Sequence, residues 1–191
     1  MLTVDKLGKR YGDRWIFKEI SFGIERGQRL AILGHNGSGK STLLKILAHL
    51  IPPTAGTVVY EGDPRLTMGY SALDASLYPQ LSPREHLELT ADLRGITSDW
   101  ASLLERVNLL YAADKPAGVL STGMGTRLKL AMALQARPRL LILDEPGAGL
   151  DEAGRGLIKE IIAEQSQVGA VILATNDPLE RKEATHELEL A

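Results

Sequence analysis

The sequence predicts an α/β fold with a largely parallel sheet, because short apolar runs alternate with segments of helical spacing. Three apolar runs have the length of buried strands, at residues 28–33, 140–143 and 170–174. Helical patterns follow at residues 41–50 and 152–167. A chain of 191 residues with 44% hydrophobic side chains can bury a sizeable core, so we expect one domain across the whole chain.

The N-terminal segments add a second layer to this core. Residues 2–7 and 15–24 alternate between apolar and polar side chains, which predicts strands of an antiparallel layer joined across a turn near Tyr11. A turn rich in proline and glycine at residues 52–56 leads into a further strand at residues 57–60.

A helical lobe is predicted between the strands of the parallel sheet. Residues 82–110 have helical spacing, with Ser82 as the expected helix cap and Pro83 at the first helical position. A second helix is expected at residues 123–136 and ends before Pro138. We therefore expect residues 82–136 to form a small lobe inserted into the α/β core.

Composition excludes several classes of function. The chain has no cysteine, which excludes disulfide scaffolds, cysteine zinc sites and thiol catalysis. It contains neither a run of ~18–20 apolar residues nor a secretory signal, so we expect a cytoplasmic protein. The net charge of −2 argues against a protein held on nucleic acid by bulk electrostatics. Residues 1–50 carry a charge of +5 and the remainder −7, which fits either a solvated surface or a bound anion near the N-terminal third.

Residues 34–41 match the phosphate-loop pattern G-x-x-x-x-G-K-[ST], between an apolar strand and a helix. Glycines let backbone N–H groups turn around phosphate oxygens, and the helix N-terminus adds partial positive charge. Lys40 can reach the β- and γ-phosphates, while the Ser41 hydroxyl can ligate Mg²⁺. The candidate nucleotide-binding residues are Gly34, His35, Asn36, Gly37, Ser38, Gly39, Lys40, Ser41 and Thr42.

Two acids end the apolar run at residues 140–143. This position places Asp144 at the carboxyl end of a buried strand, where open α/β sheets bind ligands. We expect Asp144 to hold Mg²⁺ through its water shell, and Glu145 to orient or deprotonate an attacking water. The acidic pair is a weak signal alone, because any core strand can end in acids, and a strong one beside a phosphate loop.

A third motif, Leu120-Ser121-Thr122-Gly123-Met124, precedes the helix that leads to the acidic strand. Here the chain resembles the nucleotide-binding subunits of ABC transporters, whose pattern is L-S-G-G-Q. Leu120, Ser121 and Gly123 match this pattern, whereas Thr122 and Met124 depart from it. The resemblance implies that Ser121 and Gly123 contact the γ-phosphate of an ATP held by a second subunit. The alternative is a turn that only caps a helix.

The resemblance extends from Tyr11 to about Pro178. Gly149-Leu150-Asp151 lies at the position of the family's D-loop. Tyr11 matches the aromatic residue that stacks on adenine, although a tyrosine in a turn is more often plain packing. The implied fold is a P-loop NTPase (RecA-like) core with an antiparallel β layer and a small inserted helical lobe.

The resemblance also implies cofactors and partners. ATP and Mg²⁺ are the expected cofactors. Transmembrane permease subunits and a second ATP-binding subunit, in a homodimer or heterodimer, are the expected partners. The chain would then be peripheral on the cytoplasmic face of the inner membrane. The short chain and Asn176-Asp177-Pro178-Leu179 are similar to the haem-exporter type used in cytochrome c maturation.

Two positions depart from the family in ways that affect catalysis. Asn176 occupies the place of the switch histidine, and an amide can donate a hydrogen bond but cannot take a proton. Leu73 occupies the place of the Q-loop glutamine and can bind neither Mg²⁺ nor water; Gln80 lies seven residues later. Both departures predict slow hydrolysis.

The departures keep a second hypothesis open, a regulatory subunit that binds ATP for dimerisation and leaves hydrolysis to a partner chain. Lys40, Asp144 and Glu145 oppose it. A P-loop kinase of small substrates would lack the Ser121 motif and the acidic pair. Single-chain ATPases of DNA repair or translation carry long coiled insertions or paired domains, which this chain does not have.

Overall fold

The computed structural model describes residues 1–190. In chain order the strands are β1 (Leu2–Tyr11), β2 (Arg14–Ile24), β3 (Arg29–Leu33), β4 (Ala55–Tyr60), β5 (Met68–Ser71), β6 (Leu140–Asp144), β7 (Ala170–Ala174) and β8 (His186–Glu189). The α-helices are α1 (Lys40–Leu47), α2 (Pro64–Thr67), α3 (Pro83–Arg94), α4 (Trp100–Arg106), α5 (Thr122–Leu134), α6 (Glu152–Val168) and α7 (Pro178–Arg181).

Five strands form the predicted parallel sheet, in the order β5-β6-β7-β3-β8. Every residue of β6 and β7 is buried, which explains their nearly uninterrupted apolar sequences. Parallel strands end at the same edge of a sheet. The segments that follow β3, β6 and β7 therefore lie together there, and these segments contain the phosphate loop, the acidic pair and Asn176.

The antiparallel layer is confirmed as a three-stranded sheet in the order β2-β1-β4. Strand β1 pairs with both neighbours, so Leu2 lies opposite Ile24 on one side and Tyr60 on the other. Leu2 and Ile24 are buried beside Leu43, Leu44 and other residues of α1, which places this layer near the helix that follows the phosphate loop.

The two faces of the parallel sheet contact different halves of the molecule. Leu140 and Ile142 pack with α1 and the antiparallel layer, whereas Leu141 and Leu143 pack with residues of α3, α5 and α6. Successive side chains of β6 point to opposite faces of the sheet, so this one strand contributes to two separate buried clusters. The sheet edge that bears the candidate site is held rigidly from both sides.

Residues 83–134 contain helices and no strand. The predicted continuous helix over residues 82–110 is wrong, because α3 ends at Gly95 in a left-handed conformation (φ 70°) and α4 starts again at Trp100. The predicted cap is present. The Ser82 hydroxyl accepts from the Glu85 N–H (3.3 Å), and the Glu85 carboxylate accepts from the Ser82 N–H (2.8 Å).

Candidate active site

The loop between β3 and α1 has the form that a phosphate requires. Gly39 precedes α1 with φ 100°, and no side chain caps the first helical amides. These N–H groups are therefore available to an anion. A Cβ at Gly39 would overlap Cγ2 of Ile16 in β2, so glycine is required there for packing as well as for backbone conformation. The contact with Ile16 was not predicted, because an apolar strand residue carries no chemical signal.

Lys40 is held in the loop by backbone oxygens. Its side chain is 7% exposed, and its Nζ donates to the carbonyl oxygens of Gly34 (2.8 Å) and His35 (3.4 Å). The ammonium also lies 3.4 Å from Asn176 Oδ1 and 3.9 Å from Glu145 Oε1. One buried cation thus connects the loop to residues that follow β6 and β7.

Asp144 ends β6 and is 4% exposed, and neither carboxylate oxygen has a hydrogen-bond partner within residues 1–190. Burial raises the pKa of this carboxyl, while the Ser41 hydroxyl and the charges of Lys45 and Lys40 oppose the rise. A buried carboxylate without partners costs free energy unless a cation offsets it. With the Ser41 hydroxyl nearby, these oxygen donors fit a hard divalent cation.

Glu145 follows β6 in a left-handed conformation (φ 48°), which is unusual for a residue other than glycine. Its N–H donates to the Ala174 carbonyl at the end of β7 (2.9 Å). Burial raises the pKa of its carboxyl, and the Lys40 charge acts in the opposite direction. The backbone turn directs Glu145 toward Lys40 rather than continuing the strand.

Asn176 lies between the other predicted groups. Its Nδ2 is 3.0 Å from Asn36 Oδ1 and 3.3 Å from Glu145 Oε1. Turning the amide over would bring its nitrogen to 2.8 Å from the Gly34 carbonyl and its oxygen to 3.2 Å from Lys40 Nζ. In both orientations the side chain connects to the phosphate loop, so this conclusion does not depend on how the amide is assigned.

Of the predicted site residues, Lys40, Ser41, Glu145 and Asn176 line one open cleft of about 610 Å³, whereas Gly34, His35, Ser38 and Asp144 are absent from its lining. Its walls are Ile16, Asn36, Gly37, Gly39, Lys40, Ser41, Thr42, Leu73, Glu145, Ala148 and Asn176. Leu73 is thus at the predicted place and offers only an apolar side chain, while Gln80 is absent from the lining. Tyr11 is also absent: it is 55% exposed at the end of β1, with Lys9 Nζ 5.1 Å from its ring centroid.

Ser121 and Gly123 do not reach this cleft within the same chain. Ser121 caps α5, and its hydroxyl accepts from the Met124 N–H at 3.3 Å. A Cβ at Gly123 would lie 3.2 Å from the Gly149 carbonyl. Arg127 of the same helix pairs with Asp151 at 3.2 Å. The L-S-T-G-M motif therefore packs against the predicted D-loop, away from the phosphate loop.

None of the helices described over residues 1–190 is long and apolar enough to cross a membrane.

Comparisons with known proteins agree with this geometry. The family model described as ABC transporter matches residues 17–148. The lantibiotic transport ATP-binding protein SrtF of Streptococcus pyogenes is 35% identical over 190 residues, covering 96% of this chain and 82% of that protein. The cytochrome c biogenesis ATP-binding export protein CcmA of Nitrosococcus oceani is 33% identical over 183 residues, covering 92% and 85%.

A solved structure extends the agreement to the fold. The structure of MJ0796, described as a dimeric bacterial ABC transporter cassette, superposes with a TM-score of 0.86 at 25% identity and covers 100% of this chain and 94% of that one. The matched family, the two ATP-binding relatives and the phosphate-loop cleft lead to one conclusion: the chain belongs to the ABC transporter family, as an ATP-binding subunit.

Proposed function

We propose that this chain hydrolyses ATP at the cleft lined by Lys40, Ser41, Glu145 and Asn176, with the buried Asp144 directly before Glu145, and that it does so slowly. One observation carries the proposal. Lys40, Glu145 and Asn176 belong to the segments that follow three adjacent parallel strands, and they lie within 4 Å of one another. A cation, a carboxylate and an amide around one cleft are the groups that phosphoryl transfer to water requires.

Binding would begin at the phosphate loop. The free amides at the start of α1 face the β- and γ-phosphates, and Lys40 exchanges the carbonyls of Gly34 and His35 for phosphate oxygens. Ser41 and Asp144 would hold Mg²⁺, which supplies charge neutralisation at the phosphates when it is bound. The partnerless oxygens of Asp144 support this assignment.

Glu145 would position and deprotonate the attacking water. Burial raises the pKa of its carboxyl, which makes the carboxylate a stronger base than an exposed glutamate. The Asn176 amide lies 3.3 Å from Glu145 Oε1, between the base and the phosphate loop. Because an amide accepts no proton and carries no charge, Asn176 adds less to the transition state than an imidazole would. We assign the slow turnover to Asn176 and to the apolar Leu73.

A second ATP-binding subunit would complete the site. Ser121 and Gly123 lie outside their own chain's cleft and are available to the nucleotide of a neighbouring subunit. The dimeric state of the MJ0796 cassette supports this arrangement. Permease subunits would bind the assembled pair at the cytoplasmic face of the inner membrane, as the transport and export functions named for the relatives suggest. Those relatives match at similar identities, so the haem-exporter type is one of several assignments that they support.

A regulatory subunit that binds ATP without hydrolysing it is not favoured. Such a subunit has no need for a carboxylate beside the phosphate loop, yet Glu145 is present with Lys40 3.9 Å away. Membership of the ABC transporter family also removes the small-substrate kinase from consideration.

The test is phosphate release at saturating Mg-ATP. Glu145→Gln keeps the shape of the side chain and removes the base, so hydrolysis should fall by at least 10²-fold while ATP binding persists. The variant should also accumulate an ATP-bound dimer that elutes earlier with ATP than with ADP. Glu160→Gln, on the exposed face of α6, is the matched control. Unchanged hydrolysis in Glu145→Gln would contradict the proposal.

A further inference from the structure

A buried glutamate lies beside the turn at residues 145–147 and does not line the nucleotide cleft described above. Glu180 of α7 is 9% exposed, and its Oε2 has no hydrogen-bond partner within the described residues. Glutamate is rarely buried without a partner, because its charged form loses hydration. The residue borders a cavity of about 810 Å³ between α6 and α7, which contains none of the groups that line the nucleotide cleft.

Glu180 touches the two loops that carry the catalytic candidates. A Cβ at Gly147, two residues after Glu145, would overlap Glu180 Oε1. Burial raises the pKa of the Glu180 carboxyl, while the Thr175 hydroxyl and the Gly147 amide, both nearby, oppose that rise. Thr175 directly precedes Asn176 and is fully buried. One carboxyl therefore lies against the segment after β6 and the segment after β7.

The turn that Glu180 contacts is strained. Glu145 has a positive φ of 48°, and such a conformation persists only when the surroundings hold it. Backbone hydrogen bonds close the turn, from the Ala148 N–H to the Glu145 carbonyl (3.0 Å) and from the Leu150 N–H to the Gly147 carbonyl (3.1 Å). The Glu180 carboxyl packs against this turn at Gly147, and Cγ of Arg155 lies 3.9 Å from where a Cβ of residue 147 would be.

We propose that Glu180 is a positioning residue that holds the 145–147 turn against the 175–176 segment, so that Glu145 and Asn176 meet at the cleft. The inference rests on the proposed role of Glu145. It also explains why residue 147 is glycine although its φ is not in the left-handed region. The space that a side chain would occupy there is filled by the Glu180 carboxyl.

The first test separates positioning from folding. Glu180→Ala should lower kcat by about 10- to 100-fold, because a small displacement of the turn misaligns Glu145. The ATP dissociation constant should change by less than about twofold, since Glu180 does not line the nucleotide cleft. Glu180→Gln keeps an acceptor for the Gly147 amide and should recover most of kcat. A loss in ATP affinity equal to the loss in kcat would overturn the proposal.

The second test asks whether Glu180 acts through Gly147. Gly147→Ala should displace the carboxyl and lower kcat about as much as Glu180→Ala does. The double variant should lose no more than either single one, because removing the carboxyl makes room for the new methyl group. Effects that multiply in the double variant would refute the contact. If Glu180→Ala fails to fold, Glu180→Ser, whose short polar side chain also makes room for the methyl group, takes its place in this cycle.

Two parallel measurements complete the design. Glu183→Gln removes an ion pair between the partly buried Glu183, in the segment after α7, and the exposed Lys159 (3.1 Å), and should leave kcat unchanged. Glu145→Gln reports on the proposed function itself. If Glu145→Gln abolishes hydrolysis and Glu180→Ala has wild-type kcat, only the positioning role fails. If Glu145→Gln remains active, the proposed function fails as well.

Discussion

Replacing Asn176 by histidine should accelerate ATP hydrolysis. Asn176 contacts Asn36 and Glu145 through its amide nitrogen and Lys40 through its oxygen, so its side chain already occupies the space between the phosphate loop and the base. An imidazole in that space can donate to the γ-phosphate and hold the attacking water, which the shorter neutral amide does less well.

The size of the gain follows from the surroundings. One well-aimed donor in the transition state is worth on the order of 10²–10³ in rate, or about 2.7–4 kcal/mol. The Lys40 ammonium, 3.4 Å from the Asn176 oxygen, disfavours a second positive charge, so the ring acts mainly as a neutral donor. We therefore expect the lower end of the range, about 10²-fold in kcat. Leu73 can bind neither Mg²⁺ nor water, so the double variant Leu73→Gln/Asn176→His should gain more in kcat than Asn176→His does.

Steady-state phosphate release at saturating Mg-ATP measures the effect, with calorimetry for ATP affinity. The gain should appear in kcat with little change in affinity, because the new contact strengthens in the transition state. A wild-type enzyme that is already fast, together with two variants that leave kcat unchanged, would refute the reasoning. Asn176 would then not limit the reaction.

Three further predictions concern binding, pH and stability. Lys40→Ala removes the buried cation of the phosphate loop and should weaken Mg-ATP binding at least tenfold, or about 1.4 kcal/mol, by calorimetry; unchanged affinity would contradict the phosphate-loop assignment. Burial raises the pKa of Glu145, and its base form is lost as the pH falls through that pKa. The acid-side decline in kcat should therefore begin at a higher pH than an exposed carboxyl would cause, and this decline should be absent from the residual rate of Glu145→Gln. Ser82→Ala breaks the capping box of α3 and should lower the free energy of unfolding by about 0.5–2 kcal/mol in urea, whereas Ser102→Ala, at an exposed position of α4, should change it little.

The parts of the site that depend on local sequence could be predicted. The loop over residues 34–41 needs only its glycines, Lys40 and a helix, all of which are contiguous. The acidic pair could be placed because an apolar run fixes the direction and end of β6. Asn176 was assigned by the family resemblance, from its place after the strand that follows the acidic pair, and it lies 3.4 Å from Lys40 and 3.3 Å from Glu145.

The features that could not be predicted arise from contacts between distant segments. Strand β8 was missed because three of its four residues are His or Glu, and it gains its place by pairing with β3 at the sheet edge. Strand β5 begins only at Met68, because α2 extends to Thr67 and is capped by Asp63. Glu180 resembles any surface glutamate in the sequence, and only the packing of α7 against the Gly147 turn buries it.

The position of β3 in the sheet affects how the protein is made. β3 precedes the phosphate loop, yet its neighbours β7 and β8 are formed by residues 170–174 and 186–189. At about 5–20 residues per second, a ribosome takes roughly 7–30 s to synthesise the chain between them. During that time both edges of an apolar strand remain unpaired, which exposes the nascent chain to aggregation. Nucleotide gives no protection in this interval, because the strands that bring Glu145 and Asn176 to the loop have not yet formed the sheet. ATP can therefore stabilise only chains whose synthesis is nearly complete.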